Sequence, residues 1–153
     1  MLDWLYGMLE RDPTAVVLPI ACLCGLLMGT ERELRGHRGQ LRVCVLVCVA
    51  AAAFSDLVVT RAESSNWANG FGSIAQGVGF LGAGLIMKDG ATVRGVSTAA
   101  TLWCVAAAGA AAGAREIVAA LLVTLIVLGA NLVLRPINIW ARRRQTADTA
   151  DGE

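Results

Sequence analysis

The chain has 153 residues, 56% hydrophobic and 16% charged, with a net charge of +1; soluble domains average roughly 45–50% and 25%. That length suits one compact unit, and the near-neutral charge excludes nucleic acid as the implied partner. So apolar a composition points to an all-α, polytopic bundle of transmembrane helices. Arginine outnumbers lysine twelve to one and alanine is abundant, the usage of a GC-rich bacterial genome.

Residues 1–13 lack the basic start of a signal peptide and carry three acids. Leu2, Leu5, Tyr6 and Leu9 recur at helical spacing beside Trp4, which suits a short interfacial helix or a frayed tail. Asp12-Pro13 reads as a helix start. The first span covers 14–35. Its apolar run, 14–30, rises only about 25 Å, so the helix should continue through Glu31, Arg32, Glu33 and Arg35 to a stop at Gly36. Glu31 and Arg35 then form an i,i+4 pair. Gly25 and Gly29 make a G-x-x-x-G stripe, and Arg32 falls within about 20° of it. Arg32 should therefore face the helix packing surface, or else snorkel with its neighbours into water.

The second span is 41–60, with Asp56 near its far end, and RAESSNWANG at 61–70 is a polar loop. The third and fourth spans, 71–87 and 95–113, are rich in Gly, Ala and Ser and are joined by the polar break KDGATVR. Small residues let helix backbones approach closely in lipid, so this hairpin should be tightly packed. In the third span Ser73, Gly77 and Gly84 share one stripe, Gly72, Gly79 and Ala83 a second, Ala75 and Gly82 a third. Small residues on three faces place that helix at the bundle centre. Gly109 and Gly113 are the matching contacts on the fourth. Gln76 should be buried with a partner among Ser97, Thr98 and Thr101. The fifth span is 116–134 and carries Asn131; residues 145–153 form a flexible tail.

The five cysteines, Cys22, Cys24, Cys44, Cys48 and Cys104, all lie in apolar runs, which suits small buried hydrophobes. Cys44 and Cys48, at i,i+4, are conceivable as a soft-metal pair. With five spans, Arg11, Arg61 and Arg115 fall on one side and the remaining lysine and arginines on the other. The basic side is cytoplasmic, so the N-terminus is outside and the C-terminus inside. Trp4 and Trp67 then mark the outer interface and Trp140 the inner one, with Trp103 mid-membrane.

This orientation gathers Glu31, Arg32, Glu33, Arg35, Asp89 and Arg94 at the cytoplasmic end, near Thr98 and Thr101. No nucleophile–base pair, phosphate-cradling loop or specific metal-ligand spacing is present, so an enzyme is not expected. His37 sits in a basic loop and reads as solvated. GFLGAG lies within an apolar span and is not a dinucleotide fingerprint.

Two stretches carry a resemblance: MGTERELRG, and GVGFLGAGLIMKDGATVRGVSTAATLWCVAAAGAAAG. Together they resemble the transmembrane domain of the MgtC/SapB family over about residues 14–134. The resemblance implies a multi-pass bacterial inner-membrane protein of magnesium homeostasis and low-magnesium adaptation. In some members it implies survival inside host phagocytes. It further implies action through intramembrane contact with other proteins, the F-type ATP synthase among them; the glycine stripes, read by themselves, would also suit self-association into a dimer. No cofactor is implied, although magnesium is the ion the family raises. The alternative is a magnesium or small-ion transporter using Gln76, Ser97, Thr98, Thr101 and a Glu31/Glu33 mouth. Two segments depart from the family pattern: Arg38 to Val43 follows the Glu-Arg-Glu motif in place of Ala-Gly-Leu-Arg-Thr, and Asn69-Gly70-Phe71-Gly72 replaces an Asp-Pro-x-Arg entry. The soluble C-terminal domain of longer members is not expected in the residues after Leu134.

Overall fold

A computed structural model describes residues 13–90 and 92–150, with side chains described as far as Leu134. The interfacial helix expected in residues 1–12, and the Asp12 cap, lie outside the described residues. Five helices follow one another: α1 (Thr14–Leu34), α2 (Gln40–Arg61), α3 (Trp67–Leu85), α4 (Val96–Gly113) and α5 (Ile117–Ala150). The fold is the expected all-α bundle. A single 3-10 turn, Ser64–Asn66, precedes α3. The polar break between α3 and α4 is a small antiparallel hairpin, β1 (Met87–Asp89) and β2 (Thr92–Arg94), with Met87 opposite Arg94.

Helix ends follow local chemistry. Gly36, at φ +86°, terminates α1. The Gly36 N–H donates to Glu33 O and the His37 N–H to Arg32 O, the paired bonds of a Schellman cap. α4 ends with the same two bonds, from Arg115 N–H to Ala112 O and Glu116 N–H to Ala111 O. There the left-handed position is held by Arg115, at φ +69°, where glycine is usual. α5 continues as helix past Arg144 to Ala150, although the tail was expected to lose order; its arginines, alanines and Gln145 are good helix formers.

Two helices form the axis of the bundle. α2 and α4 run parallel and touch backbone to backbone: a Cβ on Gly109 would lie 2.1 Å from Cys48 O, and one on Gly113 would lie 2.1 Å from Ala52 O. α1 runs antiparallel to α2 with nearly as close an approach. A Cβ on Gly25 would lie 2.8 Å from Val45 Cα, and one on Gly29 would lie 2.9 Å from Leu41 Cα. The cysteines serve this packing: Cys44 and Cys48 are buried beside Gly29 and Gly25, small enough to let α1 close on α2. The core is correspondingly made of small residues, including Ala21, Cys24, Ala52, Ala108 and Ala112, with Met28 and Val105 as its larger members.

The third span is not at the centre. α3 packs mainly on α2 and α4 among the described helices, whereas α4 packs on all four others. Val78 and Gly82 are its only buried residues. A Cβ built at Gly72, Gly77 or Gly84 would meet nothing within 4 Å, while Gly79 and Gly82 lie under the Trp103 indole. The tight hairpin expected between the third and fourth spans is thus a looser contact, and the tightest packing is α2 on α1 and α4.

Among the described residues four helical segments are long and apolar enough to cross a membrane: Thr14–Leu34, Gln40–Arg61, Val96–Gly113 and Ile117–Leu134. Of the described helices, α3 alone is not among them, its sequence being interrupted by glycines, Asn69 and Gln76. It nevertheless lies antiparallel to α2, with Gly70 against Val58 near one end and Val78 beside Ala51 further along. Large apolar side chains cover the outside; Phe80 is 82% exposed and Leu125 63%. So continuous an apolar exterior suits lipid and not water.

Candidate functional site

Each end of the bundle carries a polar junction. At the first, the α1 helical period that aims Gly25 and Gly29 at α2 carries Arg32 into the same seam. Arg32 is 5% exposed, and its Nη2 donates to Thr98 Oγ1 at 3.0 Å. Its Nε is buried without a hydrogen-bond partner. Glu31 points to the other side of α1, where it forms the i,i+4 ion pair with Arg35. Asn131 of α5 closes that group. Its Nδ2 donates to Glu31 Oε2 at 3.0 Å, and its backbone carbonyl accepts from Arg35 Nη1. Glu33 turns to the loop, where it accepts from the Gly39 N–H at 3.1 Å and the Leu41 N–H at 3.3 Å. One four-residue run, Glu31–Leu34, together with Arg35, therefore braces α2, α4 and α5.

At the opposite end Asp56 is the hub. Thr14 Oγ1 donates to Asp56 Oδ2 at 2.8 Å, and Arg115 Nη2 reaches Oδ1 at 3.4 Å. Asp56 is buried and Arg115 half-exposed. Ser55 Oγ donates to Ala110 O at 2.7 Å, which ties α2 to α4 one step further in. This second junction was not legible as a unit. Asp56 alone was noticeable, as a carboxylate in an apolar run.

The structure brings Glu31, Arg32, Glu33, Arg35 and Thr98 together and separates the rest of the expected cluster. Gln76 faces outward from α3, exposed, so its expected bond to Ser97, Thr98 or Thr101 is not made. The Thr98 hydroxyl accepts from Arg32, and Thr101 is buried, donating to Ser97 O in its own helix. Asp89 and Arg94 face each other across the hairpin at 3.9 Å, both well exposed. His37 is exposed in the first loop. Of the glycines, Gly25, Gly29, Gly109 and Gly113 sit at close approaches, Gly79 and Gly82 in ordinary contact, and Gly77 and Gly84 on open surface. Asn131 was visible in the sequence as an amide in an apolar span, but its partners lie about a hundred residues away in the chain. Among the described residues no three His, Cys, Asp or Glu side chains come together as metal ligands.

A groove of about 740 Å³ separates α2 from α3. It is lined by apolar and small residues, among them Ala50, Ala51, Phe54, Gly70 and Gly77, with Arg61 at one mouth.

The family model for the MgtC family matches residues 18–140. Protein MgtC of Brucella abortus (strain 2308) is 43% identical over 124 residues, covering 81% of this chain and 52% of the relative. Protein MgtC of Salmonella typhimurium (strain LT2) is 40% identical over 141 residues, covering 92% of this chain and 60% of the relative. An uncharacterized protein of Synechocystis is 36% identical over the same length. The chain spans 52–60% of the length of these relatives. No solved structure matches it. The matched stretch takes in the whole of the first polar junction and, of the second, Asp56 and Arg115 but not Thr14, and on that match the chain belongs to the MgtC family.

Proposed function

We propose that this chain is a bacterial inner-membrane protein of magnesium homeostasis and low-magnesium adaptation that acts by contact with another membrane protein, not by catalysis. The observation that carries the reading is the uncovered side of α3. Its open glycines Gly77 and Gly84, on one stripe, and the adjoining apolar groove offer a second transmembrane helix a close approach. α1, by contrast, has its glycine stripe closed against α2. The carboxylates inside the bundle have partners already: Asp56 has Thr14 and Arg115, and Glu31 has Arg35 and Asn131. A magnesium path needs several oxygen ligands at depth, because the ion sheds water reluctantly. That weighs against the alternative, transport of magnesium or another small ion.

Purification of the chain from native membrane, with and without magnesium, tests the reading. A photo-crosslinking residue replaces Gly77 in one sample and Gly129, on α5, in another. The expected result is one partner band from position 77, with the F-type ATP synthase the first candidate for its identity. A band matching a second copy of the chain instead makes α3 a dimer interface. Magnesium flux into proteoliposomes with no crosslinked partner would replace the proposal with the transporter.

A further inference from the structure

We propose that the seam between the C-terminal turn of α1 and the N-terminus of α4 is a binding site for a phosphate group, held by Arg32. The site rests on a charge imbalance that is independent of what covers α3. Arg32 is 95% buried (5% exposed), yet the ion pairs of the described residues join Arg35 to Glu31, Arg94 to Asp89 and Arg115 to Asp56, and none includes it. Both flanking carboxylates are turned away: Glu31 toward Arg35 and Asn131, and Glu33 toward Gly39 and Leu41. A buried, uncompensated charge is strongly unfavourable and calls for a counter-ion.

The surroundings say which kind. The bond from Arg32 to Thr98 places the guanidinium against the first turn of α4. That helix starts at Gly95, in the left-handed conformation, with no side-chain cap. Its first bond runs from Ala99 N–H to Gly95 O, leaving the amides of Val96, Ser97 and Thr98 as unpaired helix-start donors. A helix N-terminus carries about half a positive charge, the wrong sign to sit beside a buried arginine. The α1 C-terminus supplies the opposite half charge, so the two dipoles offset and the guanidinium charge remains. Leu85 O lies against Gly95, but it is a neutral carbonyl. Arginine and an open helix N-terminus together are a recurrent cradle for phosphate oxygens. Arg32 also lies two residues from the end of a membrane-length helix, the depth at which phospholipid headgroups sit. Ser97, exposed beside Thr98, is the open side of the seam.

The phosphate could belong to a lipid headgroup or to a free solute, and the experiment separates them. The whole chain, purified in a neutral detergent and stripped of lipid, is melted against inorganic phosphate, short-chain phosphatidylglycerol, and sodium chloride at matched ionic strength. At least one phosphate compound should raise Tm beyond the chloride control. A response to inorganic phosphate assigns a free oxyanion, and a response to the lipid alone assigns a headgroup. Arg32→Gln should weaken the response about tenfold or more, while Arg61→Gln, altering an exposed arginine of the opposite end, should leave it intact. If Arg32→Gln does not fold, Arg32→Lys serves: it keeps the charge but loses the fork and should still weaken binding. Equal shifts with chloride and phosphate, or a response kept by folded Arg32→Gln or Arg32→Lys protein, overturn the site.

Discussion

Gly109 and Gly77 have the same side chain, a single hydrogen, and opposite surroundings. A methyl group on Gly109 would lie 2.1 Å from the backbone carbonyl of Cys48, which cannot rotate away; one on Gly77 would meet nothing. Gly109→Ala is therefore expected to destabilise the bundle by about 3 kcal/mol or to block its assembly. Gly77→Ala should stabilise it by about 0.5–1 kcal/mol, the helix preference of alanine over glycine. Unfolding in graded denaturing detergent reads both, and equal effects would contradict the packing described. Arg115 makes a subtler case. It occupies a left-handed backbone position at φ +69° that disfavours any side chain by about 1–2 kcal/mol. Its contact with Asp56, 42% exposed on the arginine side, returns about 1 kcal/mol or less. Arg115→Gly should accordingly be at least as stable as the parent, and Arg115→Ala less stable than Arg115→Gly by about 1 kcal/mol. A parent more stable than Arg115→Gly would mean that the ion pair outweighs the strain. At this scale the sequence was partly readable. The period of α1 placed Arg32 on the Gly25–Gly29 face, where it is found. Nothing in the period of α3 showed that Gly77 and Gly84 face open surface, because periodicity says which residues share a face and not what lies opposite.

The elements show why α3 was misplaced. Small residues on several faces allow close packing, but they do not require it, and the large side chains on its neighbours decided otherwise. Trp103 of α4 covers Gly79 and Gly82, which holds α3 off as a flank. Gln76 is left on the outer face. The elements that matter most for cohesion are joined by polar groups at their ends. Asn131 links α5 to α1 through Glu31 and Arg35. A double-mutant cycle with Glu31→Gln and Asn131→Leu should return a coupling of about 0.5–1.5 kcal/mol, the range for interhelical hydrogen bonds in membranes; zero coupling would mean the two do not interact. Glu33 works within the α1–α2 turn. With Glu33→Ala the amides of Gly39 and Leu41 lose their acceptor, so hydrogen exchange there should quicken while the middle of α2 stays protected. Such pairs could not be read from spacing: Glu31 and Asn131 are a hundred positions apart, and only the fold makes them neighbours.

For the whole molecule, the two junctions define two ends, and the ends decide how the chain must cross a membrane. Thr14, Asp56 and Arg115 meet at one; Arg32, Arg35, Thr98 and Asn131 lie at the other. The turn after α2 and the turn after α4 therefore share a side, opposite the first loop and the hairpin. This assignment holds only if α3 crosses alongside α2, although α3 is not among the four helices long and apolar enough to cross by themselves. Glycine and two amides, Asn69 and Gln76, weaken its affinity for lipid, but its contacts with α2 and α4 hold it in place, a context that composition does not register. For the orientation we propose that the arginines decide, which would put Arg38 and Arg42, in and around the first loop, on the cytoplasmic side. Single cysteines introduced as Ser64→Cys and Glu116→Cys should react in intact cells with a membrane-impermeant maleimide, above the background of the parent chain. His37→Cys and Gly90→Cys should react only after the membrane is opened. The reverse pattern would invert the orientation and leave the bundle standing. Labelling of Ser64→Cys and Gly90→Cys from the same side is the outcome the bundle could not survive, since those two positions bracket α3.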